Sequence, residues 1–184
     1  MEPALTLYRA QLRTPIGELL LATDADACIH ALDWLDYEPR MLQLLARHHP
    51  GCALSAAPAP QGVARALEAY FAGELHALDA LPVAAIGTPF QRAVWSALRR
   101  IPVGKTYSYG QLAAALQRPA AVRAVGLANG QNPIGVVVPC HRVIGASGAL
   151  TGYAGGLARK QWLLEHEGVQ LAAPARQLPL TAAS

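Results

Sequence analysis

The stretch Val136-Val137-Val138-Pro139-Cys140-His141-Arg142 is where the architecture of this chain is easiest to work out. Three β-branched residues in a row are typical of a buried extended segment. Pro139 ends such a segment and favours an extended conformation in the residue before it. We therefore expect Cys140 at the rim of a buried strand, with His141 beside it as a potential base.

Cys140 has two interpretations at this point. A free cysteine is more often a small core residue than a nucleophile. A cysteine next to a base can also react, because the thiolate is the reactive species and its surroundings set how much of it exists. The dipeptide alone favours the core, so the decision depends on the rest of the sequence.

Composition predicts a globular protein with a packed core. The chain has 184 residues, of which 53% are hydrophobic and 15% charged, enough for one large domain or two small ones. The first ten residues, MEPALTLYRA, have neither the basic start nor the apolar core of a signal peptide, and no apolar run approaches the length of a membrane span.

The cysteines are few and widely spaced. Cys28, Cys52 and Cys140 give no disulfide pattern and favour a reducing compartment, which predicts the cytoplasm. We expect no metal and no cofactor, although a metal site built from Cys28 and His30 with distant partners stays open.

Charge is distributed unevenly along the chain. Residues 1–87 carry five Arg against ten Asp or Glu, a net charge of −5, whereas residues 88–168 carry nine Lys or Arg against two Glu, a net charge of +7. A basic half beside an acidic half suggests that the second half meets a polyanion, most simply nucleic acid. The plain alternative is a solvated basic surface.

The first half predicts a small sheet with helices. Three strands joined by short turns should form an antiparallel meander. The expected elements are strands at Leu5–Leu12, Glu18–Thr23 and Ala27–Trp34, helices at Pro39–His49 and Val63–Phe71, and a linker at Gly51–Gln61.

The second half is predicted to be mainly helical. Thr88, with Pro89 and Gln91 after it, has the pattern of a capping box with proline in the first turn. A second capping box, from Ser108 to Gln111, opens a short helix over Tyr109–Leu116. Another short helix over Ala120–Ala128 makes a helix-turn-helix candidate, with an ordinary helical hairpin as the alternative. A last helix is predicted over Leu157–Glu167.

The motifs together resemble one family. SYGQ from Ser108, RAVG from Arg123, Asn132-Pro133 and PCHRV from Pro139 have the spacing found in the 6-O-alkylguanine-DNA alkyltransferases, also called methylated-DNA–protein-cysteine methyltransferases. The similarity covers Thr88–Gly168 almost continuously. In the first half the similarity is limited to the TPIGELLLAT segment and the strand meander.

This resemblance implies an α+β fold. Residues 1–87 would form a small ribonuclease H-like domain, an antiparallel meander with helices. Residues 88–168 would form a mainly helical domain with a winged-helix or helix-turn-helix DNA-binding unit, and residues 169–184 a flexible tail.

The resemblance also implies a reaction. An alkyl group, typically methyl, would move from the 6-oxygen of guanine in DNA to Cys140, irreversibly and once per protein molecule, with the 4-oxygen of thymine as a second target. The alkylated nucleotide would first be flipped out of the duplex. The protein would act as a monomer on double-stranded DNA, bound through the minor groove.

The site residues follow from the resemblance position by position. His141 would accept the thiol proton and Glu167 would orient the imidazole. Asn132 would hold the active-site turn, and Tyr109 would donate to the guanine oxygen as charge develops. The residues that would contact DNA are Arg123, Ala124, Gly126 and Tyr109. Arg123 would fill the place in the base stack that the flipped nucleotide leaves. The pocket residues would be Val143, Tyr153, Ala154, Gly155 and Gly135.

Two of these pocket positions vary within the family. Ala154 stands where some members have Ser, so a hydroxyl contact to the base would be lost. Gly135 stands where others have a bulkier residue, and we hypothesise that it leaves room for alkyl groups larger than methyl.

The remaining reactive side chains have structural interpretations. Cys28 and Cys52 are expected to be inert, and Arg142 to fix the DNA or a domain contact. Four other histidines are expected to be surface or hydrogen-bonded structural residues: His30, His48, His49 and His76.

Three other functions compete with alkyl transfer. A non-catalytic relative that binds alkylated guanine would lack the cysteine, whereas Cys140 is present with His141 and Glu167. A cysteine hydrolase acting on acyl groups would leave the helix-turn-helix and the basic half unexplained. A plain DNA-binding regulator would need an effector module that the sequence does not suggest.

Overall fold

The N-terminal half is built on a four-stranded sheet. The computed structural model describes residues 5–171. Strands β1 (Thr6–Thr14), β2 (Gly17–Thr23) and β3 (Ile29–Trp34) form the predicted antiparallel meander. A fourth strand, β4 (Ala53–Ala56), pairs in parallel with β1, which gives the order β3-β2-β1-β4.

Strand β4 corrects the prediction of a linker over Gly51–Gln61. Its sequence, Ala-Leu-Ser-Ala, has little intrinsic strand preference, so the sequence alone gives no signal. The strand forms because the open edge of β1 offers unpaired backbone groups, and Ala53 N donates to Leu5 O at 2.9 Å.

Two helices accompany this sheet, and its two faces have different partners. Helix α1 (Glu38–His48) packs Met41 and Leu45 against one face. The other face meets helix α2 (Gln61–Phe71) and continues into the core of the C-terminal half. A single hydrophobic core therefore crosses from one half of the chain to the other.

The C-terminal half is mainly helical, as predicted, and the α+β class is confirmed. Both capping boxes form, at Thr88 with Gln91 and at Ser108 with Gln111. The elements here are helices α3 (Pro89–Arg99), α4 (Tyr109–Ala115), α5 (Val122–Gly130) and α6 (Leu157–His166), and the parallel two-stranded pair β5 (Tyr107–Ser108) and β6 (Val143–Ile144). Of the helices within residues 5–171, none is long and apolar enough to cross a membrane. The predicted tail, residues 169–184, lies outside the described residues from 172 onward.

The valine run is buried, but it is not the strand that was predicted. Val136, Val137 and Val138 are each 5% exposed or less. Val136 has a φ of +65°, in the left-handed region, and successive turn hydrogen bonds replace a sheet ladder. Val138 N donates to Ile134 O at 3.0 Å and Cys140 N to Val138 O at 2.8 Å. The apolar run correctly indicated burial, but burial does not specify backbone conformation.

Backbone hydrogen bonds join the sheet to this turn. Leu32 N in β3 donates to Pro133 O at 2.9 Å, and Gly135 N donates back to Leu32 O at 2.8 Å. Arg40 in α1 adds hydrogen bonds to the carbonyls of Gly130 at 2.8 Å and Asn132 at 3.1 Å. The N-terminal half therefore fixes the position of the segment that leads into Cys140.

Candidate active site

Asn132 holds the turn before Cys140 together. Its side-chain oxygen accepts a hydrogen bond from Ile134 N at 3.0 Å, and its amide nitrogen donates to Val138 O at 2.8 Å. These are the side-chain to backbone bonds that the resemblance implies for this residue. Asn132 is buried, so the turn loses these partners without replacement by water if the side chain is removed.

Cys140 begins a 3₁₀ turn, Cys140–Arg142, and is only 7% exposed. Burial raises the pKa of the Cys140 thiol, and the Asn132 side chain and the charge of Lys160 offset this only in part. At neutral pH the residue therefore rests as a thiol. Reaction at sulfur needs a base close by.

Glu167 orients His141, a side chain that can act as a base. His141 is completely buried, and its Nε2 lies 2.9 Å from Glu167 Oε1. An ionised carboxylate only accepts hydrogen bonds, so we assign the ring proton to Nε2. The other ring nitrogen, Nδ1, is buried and makes no hydrogen bond to any residue in the range 5–171. Its lone pair is therefore available to take a proton.

The charges of this group are set by burial and pairing. Burial acts to raise the pKa of Glu167, but hydrogen bonds and charge from His141 and Arg142 outweigh it and hold that pKa well below its usual range. Burial lowers the pKa of His141 and outweighs the opposing effect of Glu167. A neutral imidazole beside an ionised carboxylate is the state that can act as a general base.

Arg142, expected to fix the DNA or a domain contact, completes the group, and its partners are Glu167 and Ile101, both within residues 88–168. It is 7% exposed and donates from Nε to Glu167 Oε2 at 2.8 Å and from Nη2 to Oε1 at 2.9 Å. Sequence reasoning also missed Tyr70 in α2, whose hydroxyl donates to Glu167 Oε1 at 2.8 Å. Tyr70 is separated from Glu167 by 97 residues, so no local pattern could have paired them.

A cavity of about 260 Å³ opens beside Cys140. Its walls come from helices α4 and α5 and from the glycine-rich loop. The lining residues are Tyr109, Gly126, Asn129, Gly130, Cys140, Gly152, Tyr153 and Ala154. Asn129 was not predicted here; it is buried, and its side-chain oxygen has no partner among the described residues.

Three predicted pocket residues do not line this cavity. Val143 is completely buried in β6. Gly155 lies against Trp34, where a Cβ would come within 2.3 Å of the indole nitrogen, so only glycine fits. Gly135 lies one layer behind the cavity wall: a Cβ there would be 3.9 Å from the hydroxyl of Tyr153 and 3.3 Å from Leu32 O.

Lys160 was not predicted, and it holds the glycine-rich loop. The side chain is completely buried, and Nζ donates to the carbonyls of Val143 at 2.5 Å, Thr151 at 2.9 Å and Gly152 at 3.3 Å. Burial lowers the pKa of Lys160 to about 8, so the ammonium form with three donors dominates at neutral pH. A lysine in an amphipathic helix normally lies on the face exposed to solvent, so the sequence gives no reason to expect Lys160 in the core.

Helices α4 and α5 present the predicted DNA-binding residues together. Arg123 and Ala124 are exposed in the first turn of α5. Gly126 faces Tyr109, since a Cβ at Gly126 would lie 3.7 Å from the Tyr109 ring. The Tyr109 hydroxyl donates to Thr151 O at 3.3 Å, at the mouth of the cavity. Arg123 and Gly126, three residues apart, lie on the same side of α5, and Gly126 lines the cavity.

A group of polar side chains around Cys28 and His30 lies apart from this site. His30 is buried, with Nε2 3.0 Å from Asp24 Oδ2 and Nδ1 3.0 Å from His49 Nε2, so it is a hydrogen-bonded structural histidine. The possible ligand atoms of Asp24, Cys28 and His30 lie within 4.8 Å of one another. Burial and nearby acidic groups raise the pKa of Cys28, which keeps it protonated and unreactive.

Two family models match the chain. The ribonuclease-like domain of 6-O-methylguanine DNA methyltransferase matches residues 7–85, and the DNA binding domain of the same enzyme matches residues 89–169. Together with the fold and the buried cysteine site, these matches define the class: a 6-O-methylguanine DNA methyltransferase with a ribonuclease-like N-terminal half.

Individual relatives agree. The methylated-DNA–protein-cysteine methyltransferase of Salmonella typhimurium is 53% identical over 91% of this chain and 99% of its own length. Its counterpart in Methanosarcina acetivorans is 46% identical over 88% of this chain and 99% of its own. The chain belongs to the methylated-DNA–protein-cysteine methyltransferase family, enzymes of DNA repair.

Solved structures support the same assignment. The Mycobacterium tuberculosis O6-methylguanine methyltransferase superposes with a TM-score of 0.74 at 44% identity, over 92% of this chain and 96% of that one. A structure of the M. tuberculosis protein in complex with DNA gives a TM-score of 0.72 at 42% identity, over 88% of this chain and 93% of that one.

Proposed function

We propose that this protein repairs DNA by transferring an alkyl group, typically methyl, from the 6-oxygen of guanine to Sγ of Cys140, once per molecule. The observation that carries the proposal is the thiol of Cys140 in the wall of a cavity beside a base that Glu167 orients. The same chemistry extends to the 4-oxygen of thymine, whose alkyl group is attached in the same way.

Proton transfer prepares the sulfur. The raised pKa of the Cys140 thiol makes a preformed thiolate scarce, so the proton leaves as the sulfur attacks. His141 Nδ1 accepts it, directly or through one water, and the imidazolium that results is stabilised by the ionised Glu167 at 2.9 Å.

The transfer itself is a displacement at the alkyl carbon. A carbon–sulfur bond forms while the carbon–oxygen bond breaks, and its electron pair passes to the guanine oxygen and ring. Tyr109 donates a hydrogen bond to that oxygen as charge develops. The thiol loses one proton and guanine gains one on its ring nitrogen, so the reaction neither releases nor consumes protons overall. The product is a thioether, which is chemically inert under these conditions, so Cys140 does not turn over.

Access to the base needs nucleotide flipping. The reacting carbon is out of reach inside a stacked duplex, and extrusion costs a few kcal/mol. We assign Arg123 to the vacated place in the stack, with α5 in the minor groove, because Ala124 and Gly126 allow close approach of the backbone. One protein molecule binds double-stranded DNA with little sequence preference and strong salt dependence.

The two halves then have separate duties. Residues 88–168 bind DNA and react, and residues 1–87 form a scaffold domain behind the site. We place the reaction in the cytoplasm, where Cys140 stays reduced.

Labelled DNA tests the proposal. Duplex DNA carrying a labelled methyl group on the 6-oxygen of guanine is incubated with the protein, and peptides are analysed by mass. We expect one label per protein molecule, on the peptide that contains Cys140, and none with Cys140→Ala.

Matched thiol controls sharpen the result. Cys28→Ser and Cys52→Ser should accept the label like the parent protein, since both side chains lie away from the cavity. Label that stays on the DNA, label accepted by Cys140→Ala, or more than one methyl transferred per molecule would contradict the proposal.

A further inference from the structure

We propose that Tyr70, supplied by the N-terminal half, is a positioning residue for alkyl transfer: its hydroxyl holds the Glu167 carboxylate and moderates the pull of that carboxylate on His141. The inference rests on the proposed Cys140–His141–Glu167 relay. It gives residues 1–87 a direct part in the chemistry.

The contact is fixed on both sides. Tyr70 is completely buried, and its hydroxyl donates to Glu167 Oε1 at 2.8 Å. The Tyr70 ring packs edge-on against Phe71 and His166, with centroids 5.2 Å away in each case. His166 Nε2 also lies 2.7 Å from the backbone oxygen of Tyr70. The ends of helices α2 and α6 are therefore tied together at the residue that carries the hydroxyl.

One oxygen of Glu167 serves three donors. Oε1 receives Tyr70 at 2.8 Å, His141 Nε2 at 2.9 Å and Arg142 Nη2 at 2.9 Å. A carboxylate oxygen has about two lone pairs, so three donors compete for it. Without the tyrosine hydroxyl, the negative charge on Glu167 Oε1 is shared by fewer donors and interacts more strongly with His141. The imidazolium form is then stabilised further, and the pKa of His141 rises.

The other charges around the relay do not depend on Tyr70. His141 is faced by Glu167, by Arg142 on the same turn and by Lys160 from α6, and the two cations lower its pKa. Tyr70 itself is faced by Glu167, Arg142 and Tyr153. Burial, followed by the charge of Glu167, raises the pKa of Tyr70 above its usual value, so the hydroxyl remains a donor over the working pH range.

A structural explanation for this hydroxyl makes a different prediction. If Tyr70 only filled space and satisfied a buried oxygen, Phe in its place would lower stability and scale the transfer rate equally at every pH. If it moderates Glu167, the pH profile itself must move. The shape of the profile therefore separates the two.

The test is the single-turnover rate of alkyl transfer to the full-length protein, measured from pH 5 to pH 9 with methylated duplex DNA. For Tyr70→Phe we expect the acid limb to move to higher pH by about half to one unit, with DNA affinity unchanged. Tyr8→Phe, at the half-exposed surface of β1, removes a phenol hydroxyl elsewhere and should leave the limb in place.

A double-mutant cycle asks whether Tyr70 acts through Glu167. In a Glu167→Gln background, Tyr70→Phe should produce no further movement of the limb. Equal effects in both backgrounds, or an unmoved limb in the single variant, would overturn the inference.

A second substitution covers the case in which Tyr70→Phe folds poorly. Site-specific replacement of Tyr70 by 3-fluorotyrosine keeps the ring and makes the hydroxyl a stronger donor, so the limb should move to lower pH. If the acid limb of the 3-fluorotyrosine protein moves to higher pH, as for Tyr70→Phe, or does not move, the proposal is contradicted. If the parent protein itself fails to alkylate Cys140, the proposed function fails; a parent that reacts with an unshifted Tyr70→Phe profile removes only this inference.

Discussion

Arg142 and Glu167 form a buried, two-point ion pair at the centre of the molecule. Nε reaches Oε2 at 2.8 Å, Nη2 reaches Oε1 at 2.9 Å, and Nη1 donates to the carbonyl of Ile101 at 2.5 Å. All the guanidinium nitrogens are thus engaged inside the protein. Arg142 follows Cys140 by two residues in the sequence, and its side chain pairs with the Glu167 carboxylate.

Removing this arginine should be costly. Arg142→Met leaves Glu167 buried with part of its compensation lost, and we expect a loss of about 3–5 kcal/mol in the free energy of unfolding at pH 7. The folded pKa of Glu167 lies below its unfolded value of 4.5, so its stabilisation is present above that pH and is lost as pH falls. Urea denaturation at pH 7 and pH 3.5 should therefore show the variant approaching the parent at the lower pH. Arg13→Met, at an exposed pair, should change nothing measurable.

Asn132 should also be sensitive to substitution. Asn132→Ala leaves Ile134 N buried without a partner and removes one of the two hydrogen bonds to Val138 O, so about 2 kcal/mol of stability should be lost. Alkyl transfer should slow as well, because the turn that carries Cys140 loosens. Thermal melting and the single-turnover rate measure both effects. Gln131→Ala, next in sequence but nearer the surface, is the control; an equal loss there would show that the effect is not specific to the turn.

Arg123 should matter only for stacked substrates. Arg123→Ala is expected to slow transfer from duplex DNA by about tenfold or more, since the vacated stack is left unfilled at a cost of about 1.4 kcal/mol per factor of ten. Transfer from the free alkylated base should be unchanged. The ratio of the two rates is the readout, with Arg47→Ala in α1 as a control for loss of positive charge. An equal fall on both substrates would place Arg123 in the chemistry instead.

Lys160 should control the order of the glycine-rich loop. In Lys160→Met the carbonyls of Val143, Thr151 and Gly152 lose their shared donor. We expect faster amide hydrogen exchange around Thr151 and Gly152 and a transfer rate lower by about tenfold. Lys105→Met, in a surface turn, should affect neither. Unchanged exchange in the Lys160 variant would refute this role.

Gly135 should influence the size of alkyl group accepted. The parent protein is expected to transfer benzyl as well as methyl, and a benzyl rate near zero would end this hypothesis. Gly135→Val adds atoms about 3.9 Å from the Tyr153 hydroxyl and should depress benzyl transfer more than methyl transfer. Gly62→Val, in α2 with open space around it, should leave the ratio of rates unchanged.

Elements whose stabilising residues are close together in the chain were predicted well. The two capping boxes and the three-strand meander follow from residues close together in the chain, and the structure has them. Strand β4 was missed because its stability comes from the edge of β1, far away in sequence. The valine run was placed in the core correctly and given the wrong conformation, because Asn132 shapes it through side-chain hydrogen bonds.

The site divides in the same way. Cys140, His141 and Glu167 were predicted from the resemblance to the family, and the structure brings His141 and Glu167 together. Tyr70 and Lys160 were invisible because their partners are reached only through tertiary contacts, one of them to backbone carbonyls. Arg142 was expected to fix the DNA or a domain contact, and its pairing with Glu167, 25 residues away, has no local signal in the sequence.

Two of the contacts between the halves, at Leu32 and at Tyr70, differ in which residues can make them. At Leu32 the halves exchange backbone hydrogen bonds, which need an N–H at Leu32 and at Gly135 but no particular side chain. At Tyr70 they are joined by one hydroxyl on one carboxylate, which only a few residue types can make. Recombination between relatives near residue 87 would therefore preserve the first joint whatever the parents, whereas the second survives only when both parents carry matching partners. Chimaeras that fold but react poorly are the expected signature of a mismatch.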